Sequence, residues 1–178
     1  MKQSFRLTGI GQLFIAVLLA MALSACMGVK HTGSKINSTY YTDFFIAPGV
    51  VQYFIKPLWY KADDDKLSLD FTFRTDSANS LVRVNFSIIT NRVIRENDKL
   101  MLHLGQPSKS LCCVMIFSEK RKNKTMYRYS SDFDYATVRQ YFENKLYPML
   151  DVAGDTIVFR PSPRSARASK TLVTEVFY

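Results

Sequence analysis

Few side chains in this sequence are equipped for chemistry. There are two histidines, His31 and His103, and three cysteines, Cys26, Cys112 and Cys113. His103 alternates with Leu102 and Leu104 in "LMLHLG", which places it on the polar face of a strand, the ordinary setting of a surface histidine. His31 stands in a polar stretch and reads as solvated. Cys112 and Cys113 are adjacent, so on one strand their thiols point to opposite faces and cannot grip one ion together. They read as small buried hydrophobes, with a redox or intermolecular role as the alternative. No serine sits in a nucleophile elbow, no glycine-rich loop cradles phosphate, and no two histidines have metal-ligand spacing. The expectation is a protein that is not an enzyme and uses no metal or cofactor.

Cationic chemistry is better supplied. In "SEKRKNKTMYRY", Lys120, Arg121, Lys122 and Lys124 crowd a hairpin turn, with Tyr127, Arg128 and Tyr129 beyond it. Basic turns flanked by tyrosines hold phosphate-rich surfaces such as lipid headgroups and lipopolysaccharide. The same charges also guard a sheet edge against aggregation. Arg160, Arg164, Arg167 and Lys170 form a second basic group in a polar segment. The whole chain carries +9, from 24 basic and 15 acidic residues. Setting aside Lys2 and Arg6, the part after Ala25 keeps 22 against 15, or +7. That balance favours anionic partners through long-range attraction.

Residues 1–25 explain the first cysteine. Lys2 and Arg6 make a positive start, and "LFIAVLLAMAL", Leu13 to Leu23, is an unbroken apolar run of eleven. Spanning a bilayer takes about twenty helical residues, whereas eleven suits the central region of a secretory signal. The run ends Leu23-Ser24-Ala25-Cys26. A leucine, two small residues and a cysteine at the end of an apolar run resemble the lipobox of bacterial lipoproteins. The resemblance covers the leader alone. It implies cleavage before Cys26, a diacylglycerol thioether on its sulfur, and acylation of the freed amine by a chain such as palmitate. One acyl chain holds a protein only marginally, and two or three anchor it stably. In that family an aspartate after the cysteine favours the inner membrane. Met27 stands there instead and points to the outer membrane. Export excludes nucleic acid as a partner and leaves the membrane, another envelope protein, or an anionic lipid or glycan.

After Cys26 the polar segment to Thr42 reads as a flexible tether, and residues 43–178 as one β-rich domain. Apolar content of 47% and aromatic content of 13%, mostly Phe and Tyr, suit a packed core rich in strands. "KLSLDFTFR" and "LVRVNFSI" alternate apolar and polar residues, predicting a hairpin with its loop near Asp76–Asn79. Pairing Leu69 with Phe86 and Phe71 with Val84 keeps every apolar residue on one face, and a one-residue slip would reverse this. "VVQYFIKPLWYK" is a further strand whose Pro57 requires an edge or a bulge. Within "LCCVMIF", Cys112 to Phe117 lacks alternation and suits a central strand covered on both sides. A helix over 133–146 puts Tyr135, Val138, Tyr141, Phe142 and Leu146 on one stripe, capped by Ser131 or Asp132. Residues 166–178 fit a helix by spacing and a strand by β-branching.

These elements predict an α+β fold, mainly antiparallel. Its core would be a six- to seven-stranded meander sheet, with a sandwich or partial barrel as the folded alternatives, one covering helix near 133–146 and room for a C-terminal helix. The functional expectation is a lipid-anchored envelope module that binds another envelope protein. The alternative is a binder of anionic lipid, lipopolysaccharide or polysaccharide through Lys120, Arg121, Lys122, Lys124 and Arg128.

Overall fold

The computed structural model describes residues 38–75, 81–95, 98–105 and 111–177, and for Leu111 and Cys112 the backbone alone. Leu23, Ser24, Ala25, Cys26, His31, most of the expected tether and the loop Asp76–Asn79 lie outside the described residues. In chain order the strands are β1 (Tyr41–Ala47), β2 (Val50–Ala62), β3 (Asp65–Arg74), β4 (Leu81–Thr90), β5 (Leu100–Leu104), β6 (Leu111–Cys112), β7 (Val114–Arg121) and β8 (Lys124–Asp134). Helix α1 (Tyr135–Glu143) follows, then β9 (Pro148–Val152), β10 (Asp155–Val158), β11 (Arg160–Pro161) and helix α2 (Pro163–Glu175). The first strand thus begins at Tyr41, within the stretch expected to be tether.

Alternation decides the centre of the fold. β3 and β4 pair with Leu69 opposite Phe86 and Phe71 opposite Val84, the register that the apolar pattern requires. Around them the large antiparallel sheet runs β1-β2-β3-β4-β8-β7, with β11 added beside β2. β5, β6, β9 and β10 form a second sheet in the order β10-β9-β5-β6. The fold is α+β and mainly antiparallel, as expected, and the large sheet is open, with β1 and β7 at its ends. Only β1 to β4 follow one another as a meander, because the chain leaves for the second sheet before returning as β7 and β8.

Pro57 sits in a bulge. Ile55 pairs with Phe71 and Leu58 with Leu69, so Lys56 and Pro57 together face Asp70. The extra residue shifts the pleat, which lets Ile55, Leu58 and Tyr60 all bury their side chains. β1 covers the outer side of β2 as far as Ile55, and β11 covers it at Tyr60 and Lys61.

"LCCVMIF" corrects one expectation. It is two strands in two sheets, and the chain crosses between them at Cys113, which is half-buried against the core. Its second part, β7, is an edge strand with Val114, Ile116 and Phe117 exposed. An apolar run without alternation has two physical origins, cover on both faces or an uncovered edge, and its pattern cannot separate them.

Both helices pack on the apolar face of the large sheet. α1 buries Val138, Tyr141 and Phe142, and Phe142 meets Phe71 of β3 with ring centroids 5.2 Å apart. Its cap is Asp134, whose carboxylate accepts from the Thr137 amide at 2.7 Å, rather than Ser131 or Asp132, which belong to β8. α2 starts earlier than the terminal apolar spacing suggests, because Ser162 caps it and Pro163 takes its first turn. Arg164, Arg167 and Lys170 of the second basic group therefore lie in this helix, and Arg160 in β11. Among the described residues no helix is long and apolar enough to cross a membrane.

Candidate functional site

An edge strand has one row of backbone groups facing its neighbour and one row facing out. At β1 the inner row bonds to β2, and among the described residues no further strand lies beyond it. The sequence of β1, "YTDFFIA", carries one acid and no base. Phe44, Phe45 and Ile46 are 55%, 48% and 47% exposed. On the sheet's outer face Phe44 meets Phe54 of β2 edge to face at 5.6 Å, so the apolar surface extends from the edge onto the next strand. Natural edges are usually blunted by charge, proline or brevity, and β1 has only Asp43 and an irregularity at Ile46. The opposite edge differs. β7 is irregular at Ile116 and ends in Ser118, Glu119, Lys120 and Arg121, whose charges oppose strand pairing along that half.

The basic residues of the second hairpin are brought together only in part. Lys122 takes a positive φ of 54° in the turn between β7 and β8. Arg121 pairs with Glu119 at 2.9 Å, and Lys124 donates to the backbone carbonyl of Asp64. Arg128 lies in the polar ladder on the sheet's outer face, donating to Asp70 at 3.0 Å and to Ser87 at 3.2 Å. Lys120 and Lys122 have no acidic partner among the described residues. The acidic turn Asp63–Asp64 approaches the same end of the sheet through the Lys124 contact, which weakens the local positive field. Of five candidate cations, the fold thus engages three.

His103 is not the surface residue that its alternation suggests. It is 5% exposed, and its Nε2 lies 2.6 Å from Oδ2 of Asp151 on the neighbouring β9. Thr156 of β10 donates to the other carboxylate oxygen at 2.6 Å. These hydrogen bonds tie β5, β9 and β10 together. Nδ1 of His103 is buried and has no hydrogen-bond partner among the described residues. A histidine oriented by a carboxylate is half of a general-base arrangement. The other half would be a group within reach of Nδ1. The Thr156 hydrogen bond, followed by that of His103, holds the Asp151 carboxyl below its ordinary value of 3.8. A depressed carboxyl contributes stability above its unfolded value, and that contribution disappears as pH falls through the lower folded value. Asp151→Asn is therefore expected to lower the urea midpoint at pH 7 and to match the parent at strongly acidic pH. Thr156→Val should raise the Asp151 titration seen by NMR. A midpoint difference that grows on acidification would contradict this.

A cavity of about 370 Å³ lies between the two helices, floored by Tyr60 and Pro161. It joins residues 60, 141–147, 161 and 166–173, too far apart in the chain for any local pattern to reveal. A second cavity, of about 330 Å³, fills the gap beside the Pro57 bulge, between Tyr40 and Arg164. The edge signal could have been found: two phenylalanines and an isoleucine in succession without Lys or Arg mark an undefended strand. Among the described residues no group of three or more His, Cys, Asp or Glu side chains could hold a metal ion. Compared with protein-family models, curated proteins and solved structures, the chain matches none.

Proposed function

We propose that the mature chain is a non-catalytic module of the bacterial cell envelope that binds another envelope protein by strand addition at β1. The observation that carries this reading is β1 as the terminal strand of the large sheet, with Phe44 and Ile46 exposed and no basic residue to repel an incoming strand. In strand addition the main chain supplies affinity and alternate side chains supply specificity. Phe44 and Phe54 would provide the apolar contact on the outer face. The anchor in this reading is Cys26, acylated after cleavage behind Leu23-Ser24-Ala25, with the outer membrane as its destination. Two-dimensional confinement by the anchor raises the effective concentration of any partner in the same membrane.

The second reading is an anionic lipid or glycan held by the basic turn, supported by Lys120 and Lys122, which lack acidic partners among the described residues. One set of variants separates the two. Tagged full-length chain would be purified from its native envelope as parent, as Phe44→Lys/Ile46→Lys, as Lys120→Ser/Arg121→Ser/Lys122→Ser, and as Cys26→Ser. A stoichiometric protein companion is expected with the parent and the triple-serine chain. It should be absent from the edge variant and reduced at least tenfold with Cys26→Ser. A companion that survives the edge lysines, or bound material lost with the three serines and at raised salt, would overturn the strand-addition reading.

A further inference from the structure

The cavity between the helices has a mainly apolar lining and basic residues at its rim. Tyr60, Tyr141 and Phe142, which line its interior, are each about 2% exposed or less. The Tyr141 hydroxyl donates to that of Tyr60 at 2.8 Å, so the two hydroxyls are engaged with each other. Leu146 and Val173 continue the apolar lining. The exposed lining residues mark the mouth: Glu143, Lys145, Tyr147, Ala166 and Lys170. The acid among them is already engaged, since Glu143 accepts from Arg139 at 2.6 Å. Lys145 and Lys170 have no acidic partner among the described residues, which leaves the mouth positive.

Lys145 also occupies an unusual backbone position. Helix α1 ends with the Lys145 amide donating to Phe142 at 3.2 Å and the Leu146 amide donating to Tyr141 at 3.1 Å. In that ending the residue after the cap takes a left-handed conformation and is most often glycine. Here it is a lysine at φ 52°. The position carries a conformational cost that glycine would not.

We infer that this cavity binds a single-chain fatty acid, its alkyl tail between α1 and α2 and its carboxylate at Lys145 and Lys170. At about 370 Å³ the cavity falls within the size range of small-molecule sites, which suits a single alkyl chain. The lining accounts for the tail and the two lysines for the charge, as expected of a site that is mostly apolar with few polar groups. The inference is independent of the β1 reading and uses none of its residues.

The test is photolabelling of the full chain in its membrane with a diazirine-bearing dodecanoate, the labelled residues being read by peptide mass analysis. Label is expected within 141–147 and 166–173, displaced by plain dodecanoate and not by dodecanol at the same concentration. Ala166→Trp should fill the mouth and abolish it. Lys145→Gly/Lys170→Gln should weaken labelling about tenfold, the scale of two exposed charge contacts. Lys145→Gly alone should raise the melting temperature while lowering labelling, so loss of binding cannot be mistaken for loss of fold. Label scattered over the surface, displaced equally by the alcohol, or unchanged by Ala166→Trp would overturn the inference.

Discussion

Phe177→Ala is expected to destabilise the domain by about 3–5 kcal/mol, the range for removing a buried aromatic ring. Phe177 lies just beyond helix α2 and is fully buried. Its ring stacks on Phe142 of α1 at 4.9 Å and on Phe73 of β3 at 5.3 Å, and approaches Tyr135 at 5.8 Å. Those contacts tie the end of α2 to both ends of α1 and to the central hairpin. The Phe177 amide donates to Leu172 at 3.0 Å, which fixes the direction in which the ring leaves the helix. Alanine would leave a cavity that three aromatic rings on two different elements cannot close by small movements. A domain of this size has about 5–15 kcal/mol in total, so the loss takes a large fraction of it. Urea unfolding of the variant should show a much lower midpoint with a similar slope. A change below about 1 kcal/mol would mean that Phe177 does not pack as described.

Gly105→Ala is expected to cost about 2–4 kcal/mol, combining a disfavoured backbone with overpacking. Gly105 has φ 92°, where a side chain is rarely accommodated. A Cβ built there would meet Cδ1 of Leu146 in a severe clash, with Leu146 Cβ at 2.8 Å and Cγ at 2.9 Å. Leu146 cannot retreat freely, because its amide closes the end of α1 on Tyr141. Leu146→Ala in the Gly105→Ala background should restore part of the loss, although by itself it destabilises. Two losses that simply add would contradict the contact.

What the sequence disclosed follows from how local each constraint is. The β3–β4 register was legible because Leu67 to Phe73 and Val82 to Ile88 alternate without a break and only one pairing buries them all. Pro57 announced its bulge because proline cannot serve the ladder. The start of α1 was legible to within a few residues, and its cap was misplaced because Ser131, Asp132 and Asp134 are all good caps. The strand β8 runs unbroken to Asp134 and decides among them. The Ser162-Pro163 helix start is a good cap set in a polar, basic segment with little apolar periodicity to extend from it. His103 and β7 needed tertiary information. Whether an alternating histidine faces water depends on Asp151, 48 positions away, and whether an apolar run is central or peripheral depends on sheet order. Of the site, the basic residues were legible as types, while the engagement of Arg121, Lys124 and Arg128 was not. Nothing local announced the cavity, since β2, α1 and α2 build it jointly.

The central claim is that β1 accepts a partner strand, and amide hydrogen exchange on the full chain in its native envelope tests it most directly. Compared with the same chain extracted free of companions, alternate amides within Tyr41–Ala47 should exchange much more slowly. Those are the groups that face away from β2 and would donate to an added strand. The basic turn at Lys120–Lys124 should exchange alike in both preparations. Unchanged exchange along β1, or protection confined to that turn, would contradict the account.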